Sequence, residues 1–297
     1  MKNKVCTVVV TYNRLELLKG AIDALRLQSF PSDILVVNNG STDGTDKYLD
    51  AQDDLHVIHQ ENLGGAGGFY AGMKYAAENG YEFAWVMDDD VLPNVNALKF
   101  LKEAYDFLKE KENVGFLCST VVNPEGVPVN NPWVDLKRGV TGYPSWNRYL
   151  NDGLVGVSSA TFVSVFVPCE IIYEVGLPYK EFFIWGDDTE YTNRISSRYS
   201  SFLVGRSVVT HLRSGGAIDL LKLKDKNRIK MYRYSIRNNW FNNKYYPAKE
   251  RLINYLWHIV MIGRLLRHAA FYKVIIVIKG IVEGIVFNPK VQFPQKR

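Results

Sequence analysis

The chain has 297 residues, 47% of them hydrophobic, with a net charge of +5. That apolar content supports one large folded domain or two modest ones and excludes a disordered or collagen-like chain. The charge is uneven: Arg251 to Arg297 holds eight basic residues against one acid, Glu283, leaving about −2 for the remaining 250 residues. A nucleic-acid-binding core, which needs basic surface around its site, is excluded on this pattern.

The start, Met1 to Lys4 followed by Val5 to Tyr12, lacks the small-residue cleavage site of a signal peptide and reads as a first strand. Cys6, Cys118 and Cys169 have neither zinc nor disulfide spacing, which predicts a reducing, cytoplasmic setting. Strand and helix then alternate. Strands are predicted at Val5–Val10, Ile34–Val37, Leu55–His59 and Phe83–Met87, and helices at Arg14–Leu27 and Gly67–Glu78. This βαβ pattern predicts an α/β fold with a mostly parallel sheet and its binding loops at the carboxyl edge. Further on, a helix is expected at Leu98–Leu108, strands at Val114–Val122 and within Val155–Val167, and a short helix at Pro168–Val175. A helix at Asp187–Arg198 and one or two strands in Phe202–His211 complete this part. Asn123 to Asn151, rich in Pro, Gly, Asn and Trp, is expected to be a substrate-facing loop or hairpin.

Asp88-Asp89-Asp90 closes the fourth strand. Like charges held that close require a counter-cation, and hard oxygen ligands suit Mg²⁺ or Mn²⁺ between carboxylates and phosphates. Thr11-Tyr12-Asn13-Arg14 and Asn39-Gly40-Ser41 end the first two strands, where short polar groups can read a base and ribose. Asn62 precedes Gly64-Gly65-Ala66-Gly67-Gly68, glycines that let backbone approach an anionic ligand at a helix start. The segment is neither a P-loop nor a dinucleotide fingerprint. Asp187, Asp188 and Glu190 follow the aromatic run Phe182-Phe183-Ile184-Trp185. Capping accounts for Asp187 alone, whereas two adjacent acids also make a general base beside a stacking surface. His211 suits an oxygen-ligated cation as one added imidazole. Trp133, Tyr143, Trp146 and Trp185 offer flat faces to sugar rings or simply pack.

As an ordered set, Thr11 to Arg14, Asn39-Gly40-Ser41, the Asp triplet, Trp185-Gly186-Asp187-Asp188-x-Glu190 and His211 resemble a GT-A-type, family 2 glycosyltransferase. The Asn62 to Phe69 block and the triple Asp are most similar to bacterial galactofuranosyltransferases; Asn38 stands where an acid is common. The resemblance implies a nucleotide-sugar donor, UDP-galactofuranose, contacted by Thr11, Tyr12, Asn13, Arg14, Asn39, Asn62, Gly64, Gly65, Asp88 and Asp89. It implies a divalent cation (Mn²⁺ or Mg²⁺) on Asp88, Asp90 and His211, and Asp188 as the base, with Asp187 as runner-up. Inverting transfer to a polysaccharide or lipid-linked acceptor, as in O-antigen synthesis, follows from the resemblance. Rivals are a dTDP-rhamnose-using enzyme and a non-catalytic nucleotide-sugar-binding subunit.

The resemblance spans about Val5 to Gly216, which predicts a glycosyltransferase domain over 1–216 and a helical region over 217–297. In the latter, Leu252–Phe271 and Val274–Val286 are apolar but interrupted by Arg264, Arg267, Lys273, Lys279 and Glu283. No uncharged run reaches the ~20 residues that cross a bilayer. Apolar faces with basic edges predict peripheral contact with the anionic inner face of the cytoplasmic membrane, or packing against the core or in an oligomer.

Overall fold

The computed structural model describes residues 4–213 and 219–296. Four strands, β1 (Val5–Thr11), β2 (Asp33–Asn38), β3 (Leu55–His59) and β4 (Phe83–Asp88), run parallel in the order β3-β2-β1-β4. Helices α1 (Leu15–Arg26), α2 (Thr45–Asp50) and α3 (Gly64–Glu78) are the crossovers. β1 is buried throughout and alternates between the faces. Val5 and Val9 join one apolar layer with Leu18, Trp85 and Phe166, while Cys6, Val8 and Val10 join the other with Phe69, Met73 and Phe116. Burial on both faces is why β1, β2 and β4 read as continuous apolar runs rather than alternating ones.

The second half of the sheet is mixed. β4 continues through β9 (Val165–Pro168), β6 (Val114–Val122), β10 (Ser200–His211), β8 (Leu154–Ser159) and β7 (Trp133–Val134). β9 runs antiparallel to both β4 and β6, so the expected apolar run Val155–Val167 is two strands on different neighbours. β10 is one strand with an irregularity between Val204 and Val208. A three-residue strand, β5 (Val91–Pro93), pairs antiparallel with its end, placing Val91 opposite His211. α4 (Ala97–Leu108), α5 (Cys169–Val175) and α6 (Asp187–Ser196) cover this half.

α3 starts at Gly64, three residues earlier than predicted. Glycine is a poor helix former, so tertiary contact decides the boundary. A Cβ on Gly68 would lie 2.3 Å from Val10 Cγ1, and Ala66 N donates to Phe183 O. The glycines therefore let the helix lie directly on β1. All three cysteines are buried.

Beyond the described break at 214–218, which holds both the expected boundary at 216/217 and Ser214-Gly215-Gly216, come α7 (Lys226–Asn242), α8 (Ala248–Arg267) and α9 (Phe271–Val286). Ile229, Ile236, Met261, Leu265, Val274 and Val277 form their own apolar cluster, with Trp185 packed against it. The outer faces of α8 and α9 leave Leu252, Leu256, Trp257, Val260, Ile275, Ile278 and Val282 exposed. Among the described residues no helix is long and apolar enough to cross a membrane.

Candidate active site

The carboxyl ends of β1 and β4, the end of β10 and the start of α6 enclose a cavity of about 240 Å³. Asp88, Asp90, His211, Asp187, Asp188, Arg14 and Gly65 all line it, with Trp185, Phe162 and Asn130. Sequence places these residues as far apart as 14 and 211, and strand order unites them. Val10 is in register with Asp88, and the β5–β10 ladder brings His211 back over the triplet. Leu212 N also donates to Asp90 O at 2.8 Å, locking the two segments together.

Asp88, Asp90 and His211 each turn one ligand atom into a group lying within 4.8 Å of one another. His211 Nδ1 faces Asn130 Oδ1 at 2.9 Å, and an amide oxygen only accepts, so the hydrogen belongs on Nδ1. Nε2 is then directed at Asp90 Oδ1, 3.2 Å away. That oxygen is buried without a hydrogen-bond partner. Two lone-pair donors facing one another are reconciled by a proton or a cation between them, so this donor set fits a small hard cation. Burial, then repulsion from Asp90 and Asp89, pushes the Asp88 carboxyl well above its ordinary range. For Asp90, burial raises the pKa, but a proton shared with His211, together with Arg14, outweighs it and holds the group low.

Asp89 points the other way. It is 3% exposed, accepts from Thr11 Oγ1 at 2.7 Å and from Arg14 Nη1 at 3.2 Å, and does not line the cavity. Arg14 Nη1 also reaches Asp90 Oδ2 at 2.9 Å, so one guanidinium serves two of the three acids. Thr11 is buried beneath the triplet. Asn39 is buried behind the glycines, donating to Gly64 O at 2.8 Å and accepting from Leu63 N. Asn62 Oδ1 accepts from Gly64 N, and Asn13 Oδ1 from Thr42 N. Tyr12 is half-exposed. Gly64 has φ +72°, and a Cβ there would lie 1.9 Å from Phe183 O, so this start of α3 requires glycine.

Asp187 and Asp188 occupy the first turn of α6, where the helix dipole offsets part of the cost of burying an anion. Burial, then repulsion from Asp188, still raises Asp187 to about 8. Asp188 is raised too, chiefly by burial, while one of its oxygens accepts from Thr189 N at 2.6 Å. Glu190 is a structural acid: it is 1% exposed, bonded to Arg194 at 2.9 Å and Tyr245 at 2.7 Å. Of the four aromatic candidates only Trp185 lines the cavity; Trp133 and Tyr143 lie on the surface, and Trp146 backs Gly156. Asn130 escaped the sequence reading, its one local signal being the turn-forming Asn130-Asn131-Pro132.

The model of glycosyl transferase family 2 matches residues 6–157. The chain belongs to that family. Over 206 residues this family 2 chain is 28% identical to the galactofuranosyltransferase GlfT1 of Mycolicibacterium smegmatis, covering 64% of the chain and 65% of that protein. Over 106 residues it is 38% identical to the undecaprenyl-phosphate mannosyltransferase of Micrococcus luteus, covering 34% of the chain and 44% of that protein. The chain thus spans less than two thirds of the length of either relative. Its fold is shared with GalNAc-T7, crystallised with UDP, GalNAc and Mn²⁺, at a TM-score of 0.54 and 13% identity over 79% of this chain and 50% of that one. The mixed sheet with flanking helices is therefore of the GT-A type.

Proposed function

We propose that the protein is an inverting glycosyltransferase that moves galactofuranose from UDP-galactofuranose to a hydroxyl of a glycan or lipid-linked glycan. The observation that carries this reading is the placement of the Asp88–Asp90–His211 group and the Asp187–Asp188 pair in one cleft. Asp88, Asp90 and His211 would hold the divalent cation, which when bound supplies positive charge for a departing diphosphate. The cavity faces of Arg14 and Gly65 suit the donor phosphates, a guanidinium and a helix N-terminus both favouring anions. Thr11, Asn39, Asn62 and Gly64 support those surfaces from behind, and Asp89 anchors Arg14.

Asp188 is the assigned base. Burial raises both carboxyls and repulsion from Asp188 adds to the rise at Asp187, which favours one proton held within the pair and suits Asp187 to carry it while Asp188 acts as the base. Asp188 takes the proton of the acceptor hydroxyl as its oxygen bonds to the anomeric carbon from the face opposite the diphosphate. The carbon–oxygen bond to UDP breaks, UDP leaves with the bonding pair, and the configuration inverts. The galactofuranose donor is favoured by the GlfT1 relative and by the triple Asp. A lipid-linked acceptor accords with the exposed apolar, basic-edged faces of α8 and α9, which suit an anionic membrane surface. Competing UDP-galactofuranose against dTDP-rhamnose in a transfer assay tests the donor. Faster turnover of the UDP sugar supports the reading; preference for the dTDP sugar overturns it.

A further inference from the structure

Residues 181–186 lead directly into Asp187 and Asp188, yet they belong to no strand, and the short 3₁₀ turn Lys180–Phe182 ends inside them. Their backbone is held in disfavoured conformations. Phe183, at φ 64° and ψ −61°, is the centre of a tight three-residue turn closed by Ile184 N donating to Phe182 O at 2.7 Å. Trp185 follows at φ 63° and Gly186 at φ 88°. Two bulky non-glycine residues at positive φ persist only where the surroundings over-determine them.

Those surroundings are one face of α7. Asn238, fully buried, directs its amide nitrogen at three carbonyls: Phe182 at 3.0 Å, Ile184 at 3.1 Å and Trp185 at 2.7 Å. Arg237 Nε donates to Asn238 Oδ1 at 2.9 Å, which fixes which end of the amide faces the loop. Arg237 Nη2 donates to Glu181 O and Phe182 O, and Asn242 Nδ2 to Gly186 O at 2.8 Å. Phe183 O goes to Ala66 N of the glycine-rich turn. Every carbonyl from 181 to 186 thus has a donor, and all but the one on Phe183 have one from α7.

We propose that Asn238 is a positioning residue for the Asp187–Asp188 pair, with Arg237 and Asn242 as its auxiliaries. It clamps the strained turn that sets where α6 begins. The inference rests on the proposed transfer reaction and extends it: residues outside the matched family segment complete the reaction geometry. Asn238 reaches no reacting atom, so it acts on the catalytic step through the loop, not on donor affinity.

The test uses the full chain with UDP-galactofuranose, water as the acceptor, and UDP release as the rate. Asn238→Asp is the sharpest variant, because it keeps the shape but offers at most one hydrogen where the amide has two; Asn238→Ala accompanies it, with exposed Asn239→Ala as the control. The inference expects both Asn238 variants to release UDP at least tenfold more slowly while Mn²⁺-supported UDP binding stays within twofold. Hydrogen exchange should accelerate over 181–190, and Asn239→Ala should match wild type. A folded Asn238 variant with wild-type rate overturns the inference, as does equal loss of rate and UDP affinity. Should both Asn238 variants fail to fold, Asn242→Ala decides: slower release with unchanged UDP affinity supports the clamp, and an unchanged rate overturns it. A wild type that neither binds UDP nor releases it overturns the proposed function itself, a result distinct from an active wild type with indifferent variants.

Discussion

The two acidic clusters of the cleft solve the same problem in opposite ways. Asp88-Asp89-Asp90 is met by side chains of other segments: the Arg14 guanidinium bridges Asp89 and Asp90, and the His211 imidazole faces Asp90. Asp187-Asp188 has no such partner among the described residues and relies on burial, the start of a helix and backbone or hydroxyl hydrogen bonds. Asp90 is held low by its neighbours, whereas burial raises Asp187 and Asp188, as it also raises Asp88, whose charge a bound cation would offset. The contrast separates a cation seat from an acid–base pair within one small cavity.

The largest expected effect comes from removing the base: Asp188→Asn should lower transfer by about 10²–10⁴-fold while leaving UDP binding intact. Near-normal transfer by the folded variant would end the division of roles. On the other cluster, Asn130→Ala frees His211 Nδ1 and should weaken Mn²⁺ binding by roughly 10–100-fold, as loss of the partner that orients a ligand does. Titration with Mn²⁺ at constant UDP reads this directly. The pair also predicts a pH dependence. Asp188 must lose its proton to serve as a base, and its pKa is raised, so kcat should climb with pH above the ordinary carboxylate range. A rate already flat from pH 5 would contradict it.

The smallest effect concerns stability. Asp187 binds its proton more tightly folded than unfolded, so its contribution is complete at acid pH and is lost as pH rises from about 4 towards about 8. Asp187→Asn should therefore raise Tm by a few degrees at pH 8 and hardly change it at pH 4, as read by thermal unfolding at both values.

Much of the first half was legible because its signals are local. β1, β2 and β4 announce themselves as apolar runs, and the acid triplet follows a strand end where ligands bind. β5 was not legible: three residues ending in Pro93 carry no period, yet their pairing seats His211 over the triplet. Asn130 lies in a stretch without periodicity and acquires its role only through a contact to residue 211. The start of α3 was obscured because glycines that disfavour a helix locally are required by contacts with Val10 and Phe183. α7 hid its contribution for a different reason. Its buried face carries Asn238 and Asn242, polar groups that sequence pattern assigns to the surface and that are stable inside only because carbonyls await them.

The most direct test of the central claim is UDP binding by calorimetry, with and without Mn²⁺, on wild type and on Asp90→Ala. A cation seat at the triplet predicts UDP binding that strengthens at least tenfold with Mn²⁺ in the wild type and gains nothing from it in the variant. UDP affinity indifferent to Mn²⁺ in the wild type, or an unchanged Mn²⁺ effect in Asp90→Ala, would contradict it.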